Sequence, residues 1–243
     1  MNPPPRWCLP PERLTLADVD EVHVWRSLLD LPDEYVDRLA ASLSADERAR
    51  ADRFHFQPDR ARFIVAHGVL RSILSRYLND RRADELRFSY NAYGKPALTE
   101  AELCFSLSHS HALALYAVTR GREIGVDVEC VRPDLAQDHI AARFFAPPEV
   151  AALRQLPRAR QVDAFFACWT RKEAYVKARS VGLSLPLDAF EVSVMPGETR
   201  VRLQAQDDGE WSLREICPGG GYVAALAVAG SIGRLRFWQW PVL

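Results

Sequence analysis

What this sequence of 243 residues lacks narrows it before any motif is read. It has no surplus of charge: 31 basic and 32 acidic residues leave a formal net charge of −1. Nothing in its bulk electrostatics therefore calls for a nucleic-acid or membrane surface as partner, although a local basic site is compatible with it. No two cysteines stand as CxxC. Cys8, Cys104, Cys130, Cys168 and Cys217 are odd in number and widely spaced, which argues against a disulfide framework and a structural zinc site and for reduced thiols. There is no long apolar run, since the longest, Tyr222 to Ala229, is far too short to cross a bilayer. The start, Met1 to Arg6, has no apolar core behind a basic head, so a stiff extended tail is expected there rather than a signal peptide. The expectation is a soluble, cytoplasmic protein.

Several signatures of common enzyme classes are missing too. There is no GxxxxGKS or GxxxxGKT loop, no GxGxxG after a strand, no GxSxG elbow and no HExxH helix. P-loop nucleotide hydrolysis, Rossmann hydride transfer, serine hydrolysis and zincin proteolysis all fall in rank.

What is there is a globular composition, 48% hydrophobic and 26% charged, long enough to bury a sizeable core in one large domain or two intimate small ones. Val22 to Trp25 has strand composition, and Ser44-Ala45-Asp46-Glu47 is a capping box that opens a helix carrying Arg48, Arg50 and Arg53, with Pro58 breaking it. From Asp59 the apolar residues Phe63, Ala66, Leu70, Ile73, Leu74 and Tyr77 recur at helical spacing, predicting a second helix of about five turns packed on a sheet. Leu86 to Tyr90 and Phe105 to His109 read as strands around a turn at Asn91 to Pro96. The runs Ala112 to Val118 and Glu123 to Glu129, joined by Thr119 to Arg122, suggest a hairpin. The rest repeats the theme, with helices near Gln137 to Phe145, Pro148 to Leu156 and Gln161 to Ser180. Strands follow near Phe190 to Met195, Val201 to Ala205, Trp211 to Ile216, Tyr222 to Val228 and Leu235 to Trp240. Two α+β halves of similar size, divided near residues 1–120 and 121–243, are expected to pack together with a ligand cleft between them.

Four segments can carry chemistry. On a strand through Gly125-Val126-Asp127-Val128-Glu129 the two carboxylates share one face while the valines fill the other. A divalent cation with oxygen ligands would relieve their repulsion; a solvent-facing side of an amphipathic strand has the same pattern. In the helix from Gln161 to Lys177, residues Val162, Phe165, Phe166, Trp169 and Val176 form an apolar stripe with Glu173 in its middle and Lys177 at its edge. A carboxylate so placed needs a specific partner, unless the two form an ordinary exposed pair at i, i+4. Ser106 to His111 is rich in donors for an anion, and its histidines could also bind a transition metal or be a polar strand end. Arg48, Arg50, Arg53, Arg62 and Lys95 suit phosphate recognition or a solvated face.

Taken together, Gly125 to Glu129 and the run Trp169-Thr170-Arg171-Lys172-Glu173-Ala174-Tyr175-Val176-Lys177 resemble the two signature motifs of 4′-phosphopantetheinyl transferases, as does their spacing. Tyr93-Gly94-Lys95-Pro96, Leu107-Ser108-His109-Ser110 and Gly182 to Leu187 are similar to the long, monomeric, surfactin-synthetase-activating type, so that the likeness runs from about Ser44 to about Val194. The resemblance implies two halves related by a pseudo-twofold axis, with the first contacting coenzyme A and the second carrying the metal and catalytic residues. It implies Mg²⁺ held by Asp127, Glu129 and Glu173, with Glu173 as general base and Lys177 on the diphosphate and leaving group. It implies coenzyme A contacts from Arg50, Arg62, Gly94, Lys95, Pro96, Ser108, His109 and Lys172, together with Lys177. The partner it implies is an apo acyl or peptidyl carrier protein, modified at a serine by a monomeric enzyme that releases 3′,5′-adenosine bisphosphate. Two positions depart from the pattern: Ser106 stands where many relatives have asparagine, and Glu47 where relatives often have a basic residue. A metal-dependent phosphohydrolase using Asp127, Glu129 and the nearby histidines, and a non-catalytic module binding coenzyme A or a carrier protein, are the competing readings.

Overall fold

Side-chain alternation along one strand, β5 (Leu113–Arg120), organises the molecule, because both of its faces are buried in different cores. Ala114, Tyr116 and Val118 face one core, and Leu113, Leu115 and Ala117 face another. A computed structural model describes residues 5–99, 101–136, 138–197, 203–204 and 209–241. In it, β1 (Glu21–Leu28), β4 (Leu103–Ser110), β5 and β11 (Arg234–Gln239) form a sheet of order β11-β1-β5-β4. All its pairs are antiparallel except β1 with β11. On one face lies α3 (Gln57–Tyr77), burying Phe63, Ala66, Leu70, Ile73 and Leu74, and Tyr116 donates its hydroxyl to the Ala66 carbonyl at 3.1 Å. The preceding helices α1 (Asp33–Ala40) and α2 (Ala45–Ala51) pack beside it.

The other face meets a second sheet of order β6-β10-β9, made of β6 (Ile124–Cys130), β9 (Trp211–Gly219) and β10 (Tyr222–Ala229). Val22, Val24, Leu115 and Ala117 interdigitate there with Ile124, Val126, Val128, Leu226 and Val228. Helix α6 (Arg158–Arg179) covers the far side of this second sheet, with α4 (Asp138–Phe144) and α5 (Pro147–Gln155) packed on it. The result is four layers, helix, sheet, sheet, helix, a mixed α+β architecture. Gly125 makes the last contact possible. A Cβ there would lie 2.0 Å from the Ala174 carbonyl oxygen and 2.4 Å from the Ala178 nitrogen, so only glycine lets α6 close on β6.

Each half also carries a two-stranded ribbon: β2 (Phe88–Tyr90) with β3 (Pro96–Leu98), and β7 (Glu191–Val192) with β8 (Leu203–Gln204). The expected strand over Val201 to Ala205 lies outside the described residues except for Leu203 and Gln204.

Several sequence expectations need correction. The capping box forms, with Glu47 N–H on the Ser44 hydroxyl and Ser44 N–H on the Glu47 carboxylate. Pro58, however, opens α3 in its first turn, where its missing N–H costs nothing, and α2 has already ended at Ala51. The expected hairpin does not form. Both of its strands exist, but β5 pairs with β1 and β4 whereas β6 pairs with β10, so the turn at Gly121 carries the chain from one sheet to the other. The strand expected over Phe190 to Met195 pairs only at Glu191 and Val192. The last strand crosses back to lie parallel to β1.

Candidate functional site

The pleat of β6 turns Val126 and Val128 into the intersheet core and leaves Asp127 and Glu129 on the side of α6. Asp127 is buried. Its Oδ1 accepts hydrogen bonds from the Ser108 hydroxyl at 2.8 Å and the Lys177 ammonium at 2.6 Å. Its Oδ2 is buried with no hydrogen-bond partner among the described residues. Glu129 accepts from the Ser110 hydroxyl at 2.9 Å. Glu173, one turn before Lys177 on α6, is half-buried and faces the same cavity as Lys177. Burial, and after it the charge of Asp127, pushes both the Glu129 and the Glu173 carboxyl above the ordinary range. Three carboxylates that repel one another around a buried oxygen lacking any donor form a set suited to a hard cation with oxygen ligands. As their side chains stand, no group of three His, Cys, Asp or Glu among the described residues is gathered closely enough to enclose a metal, and the Lys177 ammonium supplies the local positive charge.

Beside this cluster opens a cavity of about 430 Å³ with walls from both halves of the chain. It brings together seven of the residues expected to contact the metal or coenzyme A: Arg50 on α2, Gly94, Lys95 and Pro96 on the β2–β3 ribbon, His109 on β4, and Glu173 and Lys177 on α6. Burial holds the His109 imidazole below its usual range, with the nearby charges of His67 and Lys177 acting in the same direction. Tyr90 and Tyr93 stand exposed at the cavity wall, next to Phe88 and Leu107.

Three expected cofactor contacts are placed elsewhere. Lys172 is fully buried on another face of α6, paired with Glu149 at 2.7 Å and donating to the carbonyls of Leu187 and Phe190 at 2.7 Å each, which pins the segment after the helix. Its neighbour Arg171 is likewise buried and holds Ser193, Met195 and Glu215. Arg62 lies outside the cavity wall and forms a fork on Asp30 at 2.7 and 3.1 Å. Ser108 sits behind the wall, on Asp127.

Lys95 lines the cavity but directs its ammonium at backbone. It donates to the carbonyls of Ile124, Lys177 and Ala178 at 3.0, 2.8 and 3.3 Å, a cation on the C-terminal end of α6. Burial lowers its pKa. Asn91 completes this clamp: its side-chain oxygen accepts from the N–H groups of Tyr93 and Lys95, and its amide donates to the Ser180 carbonyl at 2.8 Å. Gly94 takes the positive φ of +82° that this turn requires. One ribbon of the first half therefore fixes the helix end that carries Glu173 and Lys177.

His67 on α3 also faces the cavity, and sequence reading missed it. Its Nδ1 lies 3.7 Å from the buried Glu47, which accepts from the Arg71 guanidinium at 2.6 Å. Burial alone would raise the Glu47 carboxyl, but His67, the Ser44 N–H and Arg71 outweigh it and hold it at about 2. The acidic residue at this unusual position is thus a buried anion in the cavity wall, paired with Arg71. No pattern in the sequence pairs it with His67, which is 20 positions away on another helix. Among the described residues no helix is long and apolar enough to cross a membrane.

A family model described as the 4′-phosphopantetheinyl transferase superfamily matches residues 123–227, the stretch from β6 into β10 that contains α6. The 4′-phosphopantetheinyl transferase HetI of Nostoc sp. is 43% identical over 238 residues, covering 96% of this chain and 98% of the relative. The 4′-phosphopantetheinyl transferase Sfp of Bacillus subtilis is 32% identical over 175 residues, covering 71% of this chain and 76% of the relative. A crystal structure of a holo-(acyl-carrier-protein) synthase from Bacillus anthracis covers 45% of this chain and 96% of its own at 20% identity and a TM-score of 0.39.

Proposed function

Because this chain belongs to the 4′-phosphopantetheinyl transferases, we propose that it moves the phosphopantetheine arm of coenzyme A onto a serine of an apo acyl or peptidyl carrier protein, releasing 3′,5′-adenosine bisphosphate. The observation that carries this reading is the meeting of Asp127, Glu129, Glu173 and Lys177 at the edge of a cavity walled by both halves. Asp127, Glu129 and Glu173 would hold Mg²⁺, whose positive charge would neutralise the coenzyme A diphosphate.

The reaction forms a bond between the serine Oγ and the β-phosphorus of coenzyme A and breaks the bond from that phosphorus to the bridging oxygen of the adenosine-bearing phosphate. The serine proton goes to Glu173, which faces the cavity and whose carboxyl is raised above its ordinary range by burial and then by the charge of Asp127. The bridging oxygen leaves with the bisphosphate, and Lys177 faces the charge that develops there. Arg50 and His109 offer cationic and donor groups to the remaining phosphate, while Gly94, Pro96 and the tyrosines beside them form a wall for the adenosine. Two halves, 1–120 and 121–243, each with a long helix on a sheet and a ribbon beside it, would be related by a pseudo-twofold axis, with β11 of the second half lying parallel to β1 at the edge of the first sheet. The enzyme would work as a cytoplasmic monomer.

Intact-mass measurement of apo acyl and peptidyl carrier proteins, incubated with this enzyme, coenzyme A and Mg²⁺ and with an EDTA control, tests the proposal. The expected result is a metal-dependent gain of about 340 Da on the carrier. Phosphate release with no gain on any carrier would favour a hydrolase, and retained coenzyme A binding with no reaction a non-catalytic module.

A further inference from the structure

We propose that Ser110, on a ladder it shares with Ser106 and Ser108, is a positioning residue that sets the Glu129 carboxylate for the cation and diphosphate. The inference rests on the reading of Asp127, Glu129 and Glu173 as the cation-holding set.

Strands β4 and β6 lie side by side but belong to different sheets, and among the described residues no backbone hydrogen bond joins them. β6 is the edge of its own sheet, so every second N–H points away from β10 and needs an acceptor. Three serine hydroxyls supply it. Ser106, Ser108 and Ser110, which share one face of β4 by the two-residue period, accept from the N–H groups of Val126, Val128 and Cys130 at 3.1, 3.3 and 3.1 Å.

A hydroxyl that accepts from the backbone still has one proton to give. Ser108 gives it to Asp127 at 2.8 Å and Ser110 gives it to Glu129 at 2.9 Å, the residue just before each accepted N–H. At the first rung that preceding residue is Gly125, which has no side chain to receive a bond. The first rung therefore holds register alone, whereas the second and third hold register and one carboxylate each. Ser108 is further engaged by Lys177 at 2.9 Å, so Ser110 is the rung whose effect on a single carboxylate can be isolated. Without it, the repulsion from Asp127 is free to turn Glu129 away, and a cation would have to gather its ligands at the expense of affinity.

The test is Mn²⁺ affinity of the full-length protein by electron paramagnetic resonance, a readout that needs no turnover. Ser110→Ala is expected to weaken Mn²⁺ binding about tenfold, and Ser110→Thr, which keeps the hydroxyl, to restore it to within about twofold of the parent. Ser106→Ala removes a rung without a carboxylate and is expected to lower thermal stability about as much as Ser110→Ala while leaving Mn²⁺ affinity within about twofold. Unchanged affinity in Ser110→Ala, or equal losses in Ser106→Ala and Ser110→Ala, would reduce the ladder to a seam between sheets and overturn the proposal. Failure of the parent protein to bind Mn²⁺ with or without coenzyme A would instead remove the cation site itself, and the inference with it.

Discussion

Lys177 on α6 and Asp127 on β6 meet at 2.6 Å through Asp127 Oδ1, while Oδ2 of the same buried carboxylate has no hydrogen-bond partner among the described residues. One lysine thus compensates half of a carboxylate, and a third of its own side chain remains exposed toward the cavity. In the proposed reaction that exposed ammonium is the group that meets the leaving phosphate. Lys177→Ala removes both roles. Transfer is expected to fall about 100-fold or more, and the melting temperature without divalent cation to fall as Asp127 loses its charge partner. Steady-state kinetics and calorimetry with and without Mg²⁺ check this; turnover within a few-fold of the parent would remove Lys177 from the reaction.

Glu173 and Glu129 are raised by burial and by Asp127, and the sign of the consequence is definite. A folded protein that binds these protons more tightly than the unfolded chain loses stability as pH rises from about 4.5 through the raised folded values. In EDTA, Glu173→Gln is expected to match the parent at acidic pH and to melt higher than the parent above that window; with Mg²⁺ present it is expected to have no transferase activity. Melting curves between acidic and neutral pH decide it, and a variant less stable than the parent at neutral pH would show that Glu173 has a stabilising partner.

Glu47 titrates the opposite way. Its pKa of about 2 means that the stability it contributes is fully present above about 4.5 and is lost as pH falls toward 2. Glu47→Gln leaves the buried Arg71 without its counter-ion and is expected to cost about 3 kcal/mol near neutral pH. Urea denaturation measures that loss. A cost below about 1 kcal/mol would mean that Arg71 finds another partner.

Lys95 separates two roles that sequence resemblance merges. If its ammonium serves mainly to hold the C-terminal carbonyls of α6, Lys95→Met lowers the melting temperature by about 5 °C and lowers kcat, because Glu173 and Lys177 ride on that helix. This is the expected outcome. A raised KM for coenzyme A with unchanged melting would place the ammonium on the cofactor instead.

Much of this protein was determined by the sequence alone. The two-residue period from Gly125 to Glu129 put Asp127 and Glu129 on one face, because a pleated strand alternates whatever surrounds it. The apolar spacing on α3 likewise fixed which side is buried, since 3.6 residues per turn is a local property, whereas α6 is buried nearly all round, Arg171 and Lys172 included, and Val162, Trp169 and Glu173 of its expected stripe stay partly exposed. The capping box at Ser44 needed only four neighbouring residues.

What the tertiary structure alone decided involves partners distant in the chain. No period tells β6 to leave β5 and pair with β10, because either neighbour would bury the same valines; the turn at Gly121 and the second sheet settle it. The motif residue Lys172 looked like a cofactor ligand until Glu149, on a different helix, claimed its charge. Arg62 was claimed by Asp30, and Lys95 by the end of α6, in the same way. A long basic side chain can reach any anion or carbonyl within several ångströms, so its sequence position limits its partner far less than a strand's pleat limits its face. Only when Ser108 and Ser110 arrive from the neighbouring sheet do Asp127 and Glu129 acquire fixed orientations.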